Sequence, residues 1–352
     1  MADTKIRLAI FTARNLVTSS DCSPETIQNL VNNLDPATYS IDVILIDAFI
    51  PPGLQVTEDK LIDLPMYVPF SKVLAHPNIS NVFSLEKLTL GQIKDSYDMA
   101  IVAIYNDFGE DGKLLGLLDT LGIPYLSPSL KVSAVCYDKS YTRDLITQHG
   151  GLVPPGFPVH KDHFAINTID QQIGNNMGYP VVIKPVSSGN SFGAALVRSV
   201  HEIDAAGRSA FTYSDELLVE KLIAGQEFTV GVRGSYLNAT ALPVVQINSH
   251  KEFFDYAAKY TKGQASEVCP APINADLAQQ LQAAALLAYE AVKGDSHARI
   301  DMIYGEDKKI YILDINTFPG LNSASLFPKE LLAMGSSLSA FLTDQIKLKS
   351  GR

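Results

Sequence analysis

The chain has 352 residues, of which 46% are apolar, 19% charged and 9% aromatic, with no Trp. At roughly 100–200 residues per domain, this length implies two or three folded units and excludes a disulfide-stapled mini-protein or a disordered chain. Lys and Arg number 28 against 38 Asp and Glu, a formal charge of −10, so the long-range field repels nucleic acid and anionic membranes.

The first third alternates strand-like and helix-like segments. Apolar runs rich in β-branched residues at 5–12 and 40–47 flank a segment whose Ile27, Leu30, Val31 and Leu34 recur at helical spacing. Residues 97–105 read as a third strand, followed by a Gly-rich turn, a short helix over 114–121 and a short strand over 123–127. In 51–90 turn residues dilute any period. Strand-helix alternation predicts an α/β domain over 1–128, on a mainly parallel sheet covered on both faces. One helix is predicted over 133–148, ending at Gly150-Gly151, and the Pro-rich stretch 153–159 reads as a connector. Strands then crowd together at 180–184, 194–197, 216–223, 227–234 and 240–247, as in an antiparallel or mixed sheet. A helix over 275–292, strands at 298–304 and 309–316, and a helix over 336–347 complete the pattern. The fold class is α/β turning to α+β in the C-terminal part, and the expected domains are 1–128, 129–222 and 223–352.

Cys22, Cys136 and Cys269 are widely spaced, with no C-x-x-C pair and no His at zinc-ligand spacing, and read as reduced thiols of a cytoplasmic chain. Nowhere do about 18 apolar residues run together, and no secretory signal is expected. The His residues are scattered and no Ser lies in a G-x-S-x-G turn, so hydrolytic nucleophile chemistry has little support.

Four segments carry chemistry. In 298–304 the period of two puts Ile300 and Met302 on one face and Arg299 with Asp301 on the other; in 309–316 it puts Ile312, Asp314 and Asn316 together. Gly305-Glu306-Asp307 reads as a turn, so the two strands are expected to form a hairpin whose polar faces coincide; a register that set Asp301 opposite Asp314 would bring two carboxylates together. That is destabilising unless a cation sits between them, and two Asp with an Asn are hard oxygen ligands of the kind Mg²⁺ takes. The alternative is an edge hairpin with both carboxylates in solvent. Lys184 lies inside an apolar strand and is followed by the Ser/Gly loop 186–193, which can offer N–H groups to phosphate; the alternative is a snorkelling Lys before an ordinary turn. Glu216-Leu-Leu-Val-Glu-Lys-Leu-Ile223, with Glu227 beyond it, can present main-chain groups to a nucleobase or be an edge with a charged pair. Phe253-Phe-Asp-Tyr-Ala-Ala-Lys-Tyr260 suits a lid that excludes water, or a packed surface loop.

In this order the segments resemble the ATP-grasp superfamily, specifically the D-alanine–D-alanine ligase family. The resemblance runs from about Tyr97 to the C-terminus. It rests on Gly109-Glu-Asp-Gly112, Tyr137-Asp-Lys139, the Lys184 strand, Glu220-Lys-Leu-Ile223, Glu227-Phe-Thr229, Asp255-Tyr-Ala-Ala-Lys-Tyr260, Ala298-Arg-Ile-Asp301, Asp314-Ile-Asn-Thr-Phe-Pro-Gly320 and Ser325-Leu326. It implies an ATP-grasp fold behind a Rossmann-like N-terminal domain, ATP with two Mg²⁺ or Mn²⁺ ions, and small amino-acid and carboxylate substrates. It also implies a homodimer without nucleic-acid or membrane partners.

By the same resemblance Lys139, Lys184 and loop residue Ser191 contact the ATP phosphates, Glu220 and the main chain of Lys221 and Ile223 hold adenine, and Glu227 binds ribose. Lys259 reaches the γ-phosphate and Tyr260 closes the lid. Asp301, Asp314 and Asn316 hold the metal, Arg299 and the Gly320 amide stabilise the oxyanion, and Ser325 with the Leu326 amide holds the second substrate's carboxylate. The implied reaction forms an acyl phosphate and then an amide, releasing ADP and phosphate.

The sequence departs from the family on the first-substrate side. The family's Gly-Gly-x-Ser-x-Glu segment is replaced by Phe11-Thr-Ala-Arg-Asn-Leu-Val17, and its His-Gly by Tyr105-Asn106. Asp314 stands for a Glu, Asn190 for a loop Ser, and Ala257 for a lid Glu, while retained Tyr260 argues against a depsipeptide-forming ligase. The expectation is therefore an ATP-dependent carboxylate–amine ligase of specialised metabolism, with Arg14 facing an anionic first substrate. The alternatives are a housekeeping D-alanine–D-alanine ligase of peptidoglycan synthesis and a non-catalytic nucleotide-binding regulator. A biotin-using carboxylase shares the superfamily but usually has a longer chain.

Overall fold

The computed structural model describes residues 5–14, 24–50, 70–189, 191–249 and 265–350. The chain forms two compact units, Met1–Ser133 with Thr317–Arg352, and Ala134–Asn316. The expected segments 1–128, 129–222 and 223–352 cut the chain differently, because the tail after the last strand packs with the N-terminal unit. Phe318, for example, is 5% exposed in the same core as Phe11, Ile104 and Leu115.

The first unit is built on a parallel sheet. Its strands are β1 (Ile6–Thr12), β2 (Tyr39–Leu45), β3 (Ile79–Ser84), β4 (Met99–Val102) and β5 (Tyr125–Leu126), in the order β3-β2-β1-β4-β5. The central strand reads as a continuous apolar run because a strand in the middle of such a sheet is buried on both faces, and Leu8, Ala9, Ile10 and Phe11 are fully enclosed. Helix Pro24–Asn33 buries Ile27, Leu30 and Val31, the residues whose spacing predicted it. β3 and the short helix Phe70–Leu74 fall in the stretch where no period was legible. Helix Lys113–Leu121 starts after Gly112 at φ 87°, and Gly109 is required nearby because a Cβ there would lie 1.8 Å from the Ile104 carbonyl oxygen.

The second unit holds two sheets. The smaller joins β6 (Gly156–His160), β7 (Val181–Pro185), β8 (Ala195–Val197) and β9 (Glu216–Lys221) in the antiparallel order β6-β9-β7-β8. Ile169, Ile173, Ile183 and Val219 lie in its core. β6 occupies the stretch expected to be a connector; Pro158 is tolerated there because β6 is an edge strand with one unpaired side. The larger sheet runs β13 (Ala265–Val268), β12 (Val245–Ser249), β10 (Gly225–Arg233), β14 (His297–Gly305), β15 (Ile310–Asn316), with β11 (Thr240–Ala241) paired to β10. Helix Ala275–Ala291 packs on it through Leu281, Ala285, Ala288 and Tyr289, its first turn capped by Asn274.

The single helix expected over 133–148 is two, Leu130–Tyr137 and Lys139–Gln148. Asp138 turns extended between them and accepts hydrogen bonds from the Ser140 and Tyr141 amides, so a good N-cap inside an apolar pattern starts a new helix. The expected strand over 240–247 likewise breaks into β11 and β12. Helices Ile166–Asn176, Ile203–Ala210 and Leu326–Ala333 were not anticipated. Cys136 and Cys269 are not joined by a disulfide. No helix among the described residues is long and apolar enough to cross a membrane.

The turn between β14 and β15 is held by Asp307, which accepts from the Tyr311 hydroxyl at 2.8 Å and the Lys309 amide at 3.3 Å. The Tyr311 bond holds the Asp307 carboxyl below its ordinary range, and the same pairing pushes the Tyr311 hydroxyl up. A lowered carboxyl stabilises the fold above its unfolded pKa and ceases to do so as pH falls through the folded value. Tyr311→Phe is therefore expected to lower the thermal midpoint at neutral pH, with the difference narrowing in strong acid, as calorimetry across a pH series will read.

Candidate active site

The register of the larger sheet brings together the residues that strand alternation singled out. Asp301 of β14 lies directly opposite Asp314 of β15, and Arg299 opposite Asn316. On the other side of β14, Thr229 of β10 pairs with Asp301 and Glu227 with Ile303, so Glu227, Thr229, Arg299, Asp301, Asp314 and Asn316 share one face. The sequence reading placed Ile312 on this face too. A β-bulge between Asp301 and Met302 instead sets Ile312 opposite Met302, in the core at 2% exposure. The bulge takes up one residue and so shifts the inward and outward alternation within β15.

The two carboxylates differ in their surroundings. Arg299 clamps Asp301 with a two-pronged fork, Nε to Oδ1 and Nη2 to Oδ2, both at 2.8 Å. The Thr229 hydroxyl, fully buried, is 2.6 Å from Asp301 Oδ1. Asp314 accepts from the Ile315 amide at 3.1 Å, and no salt bridge reaches it among the described residues. Across antiparallel strands two like charges directly opposite repel, which a divalent cation relieves. Two carboxylates and an amide oxygen are hard donors, so the residues present fit Mg²⁺. Among the described residues no three or more His, Cys, Asp or Glu side chains cluster as a metal site.

The smaller sheet carries the second constellation. Glu220 on β9 is buried, with Oε2 2.5 Å from Lys184 Nζ on β7 and Oε1 bonded to Arg143 on helix Lys139–Gln148. Lys139 begins that helix. Its amide donates to the Val186 carbonyl at 3.2 Å and its ammonium to the Ser188 carbonyl, which ties the helix start to the Ser/Gly loop. In that loop Ser191 takes a φ of 58°, and Gly193, at φ 71°, leaves room for Tyr213, whose ring stacks on Phe192. The Lys221 amide donates to the Pro155 carbonyl at 2.8 Å, so this N–H is committed to the fold, while Ile223 lies just beyond the end of β9. Arg143 was not among the expected site residues; only its place four residues after Lys139 on one helix face hinted at it.

In the first unit, Gly320 lies against Ser325, since a Cβ on Gly320 would come 2.5 Å from Ser325 Oγ. The Leu321 carbonyl next to Gly320 accepts from Asn29 Nδ2 at 2.6 Å. Ser325 precedes helix Leu326–Ala333 at the N-cap position without making a side-chain capping bond, and Leu326 opens that helix. The first amides of a helix lack intrahelical partners and attract anions, which suits a carboxylate. Arg14 is half-exposed, with its amide and Nε on Asp47 at 2.7 and 2.8 Å. Asn106 is buried at φ 61°, a conformation Asn tolerates. Lys259, Tyr260, Asn190 and Ala257 lie outside the described residues.

Residues 145–347 match the family model described as D-ala D-ala ligase C-terminus. The D-alanine–D-alanine ligase of Clostridium beijerinckii is 36% identical over 246 residues, 70% of this chain and 78% of that protein. That of Geobacter sulfurreducens is 33% identical over 237 residues, 67% of this chain and 72% of its own length. Among solved structures, the VanG D-Ala:D-Ser ligase of Enterococcus faecalis aligns with a TM-score of 0.80 and 25% identity, covering 98% of this chain and 100% of that one. The D-alanine–D-alanine ligase of Bacillus anthracis complexed with ATP aligns at 0.73 and 25%, covering 99% and 98%.

Thr229→Val keeps the side-chain shape and removes the hydroxyl next to Asp301. Asp301 is partly exposed and the Thr229 hydroxyl also reaches the Ile300 carbonyl at 3.0 Å, so losing this donor is expected to cost about 1 kcal/mol, as urea unfolding will read.

Proposed function

This chain belongs to the D-alanine–D-alanine ligase family of ATP-grasp enzymes, ligases that form a C–N bond, and on that premise we propose that it joins D-alanine to a second D-alanine. The identity to D-alanine–D-alanine ligases over about 70% of the chain carries this reading. It is supported by a sheet face that keeps Arg299, Asp301, Asp314 and Asn316 together. The comparisons favour this housekeeping role over the specialised ligase expected from the first-substrate segment. Arg14 offers less support for an anionic substrate than its sequence position implied, because Asp47 compensates its charge within the same unit.

The chemistry has two steps. The carboxylate of the first amino acid attacks the γ-phosphorus of ATP, the bond to the β-phosphate bridging oxygen breaks, and ADP leaves an acyl phosphate. The amine of the second amino acid then attacks the acyl carbon, the bond to phosphate breaks, and an amide forms as the nitrogen gives up a proton. Lys139, Lys184 and the loop at Ser191 are assigned to the phosphates, Glu220 and Ile223 to adenine, and Glu227 to ribose. Arg299 and the Gly320 amide are assigned to the oxyanion, Ser325 and the Leu326 amide to the second carboxylate, and Lys259 and Tyr260 to closure over the acyl phosphate. Asp301, Asp314 and Asn316 would hold Mg²⁺, which when bound neutralises charge on the transferring phosphoryl group. A cytoplasmic homodimer is proposed with this role.

A second reading, a ligase with a different first substrate, is favoured by one feature: the segment after β1 lacks the family's Glu and carries Arg14. Phosphate release across D- and L-amino acids, with product mass, separates the two. Turnover with D-alanine alone to D-alanyl-D-alanine is expected; turnover only with another carboxylate overturns the first reading in favour of the second. Arg299→Ala is expected to lower kcat by about 10²–10³-fold, the usual cost of losing one oxyanion donor, in the same assay.

A further inference from the structure

Two cations share one buried carboxylate in the second unit. Glu220 is 4% exposed, and its two oxygens are divided between Arg143 on Oε1 and Lys184 on Oε2. The Arg143 and Lys184 side chains are themselves only 14% and 16% exposed. Arg143 Nη1 also donates to the Pro154 carbonyl at 2.9 Å, at the start of the segment leading into β6. Gly156, two residues on, is pressed against this carboxylate: a Cβ there would lie 3.1 Å from Glu220 Cγ.

The triad has a net charge of +1. A buried carboxylate with a single cation cannot release it without leaving an uncompensated charge in a poorly solvated place. With two cations, one can leave while the other stays. The two are not equivalent. Arg143 is fixed by a second acceptor on the same Nη1 of a planar guanidinium, whereas Lys184 is a flexible ammonium on the strand that runs straight into the Ser/Gly loop. We propose that Arg143 is a positioning residue that keeps Glu220 compensated and oriented, so that Lys184 can transfer its ammonium from Glu220 to a nucleotide phosphate. This rests on the reading above that Lys184 meets the ATP phosphates. Arg143 itself touches neither nucleotide nor substrate; it sets the cost of detaching Lys184.

The test is calorimetric binding of a non-hydrolysable ATP analogue with Mg²⁺ to the full chain, with steady-state kinetics in parallel. Arg143→Met keeps the aliphatic stem and removes the charge. It is expected to weaken analogue binding by about 100-fold and raise KM for ATP in proportion, with kcat changed by only a few-fold. Arg143→Lys restores the charge and is expected to recover most of the affinity. A purely structural role would lower the binding stoichiometry and apparent kcat and leave Kd and KM in place, which overturns the proposal. If Arg143→Met does not fold, Arg143→Gln retains a donor for Glu220 and the Pro154 carbonyl, and the same loss of affinity is expected; wild-type affinity overturns the proposal. Wild-type protein that makes D-alanyl-D-alanine while its Arg143 variants bind the analogue unchanged sinks only this inference. Wild-type protein that binds no analogue and releases no ADP sinks the functional reading with it.

Discussion

Hydrogen-bond register forces two carboxylates side by side on the larger sheet, and this constraint organises the chemistry of the second unit. Asp301 and Asp314 face each other across β14 and β15, where like charges repel. The fold answers on one side only. The Arg299 fork and the buried Thr229 hydroxyl hold Asp301, while Asp314 accepts only a backbone amide among the described residues. One half of the pair is fixed by side chains and the other, among the described residues, is not. That asymmetry differs from a structural ion pair, in which each charge finds a side-chain partner, and it is what supports the proposed cation.

A second imbalance, of opposite sign, lies on the smaller sheet, where two cations serve one Glu220. A carboxylate pair of which Arg299 meets one member, and a cluster in which two cations meet one carboxylate, both in the second unit, support the proposed binding of ATP with Mg²⁺. The first unit, taken by itself, carries groups of another kind, backbone amides at the start of helix Leu326–Ala333 and a loop pinned by Asn29 through the Leu321 carbonyl. Such amides attract a carboxylate by dipole and hydrogen bond rather than by net charge, which is why the second substrate is proposed to lie there.

Much of this was legible in the sequence because the site sits on regular strands. Period-two alternation put Asp301 and Asp314 on polar faces, but their register was not legible: a turn of Gly305-Glu306-Asp307 pairs Tyr304 with Lys308, whereas Tyr304 pairs with Ile310 and a bulge shifts the register again to set Asp301 against Asp314. Alternation failed at Ile312, since a bulge leaves no mark in the residue types around it. The break at Asp138 was missed because an apolar pattern continued across it, although an Asp ahead of a polar helical turn is a capping signal. β6 was hidden by Pro154 and Pro155 just before it and by Pro158 within it, which an edge strand accepts. Arg143 was illegible for a different reason: its partner is 77 residues away, and only tertiary packing turns a helix-surface Arg into a buried one. In the first-substrate segment the sequence showed a cation at Arg14 but not its pairing with Asp47, 33 residues away.

A divalent ion held by the register-imposed carboxylate pair can be followed by electron paramagnetic resonance of Mn²⁺ titrated into the protein with a non-hydrolysable ATP analogue. Protein-bound Mn²⁺ is expected in the wild type and its loss in both Asp301→Asn and Asp314→Asn. Undiminished Mn²⁺ binding in both variants would show that the ion is held elsewhere.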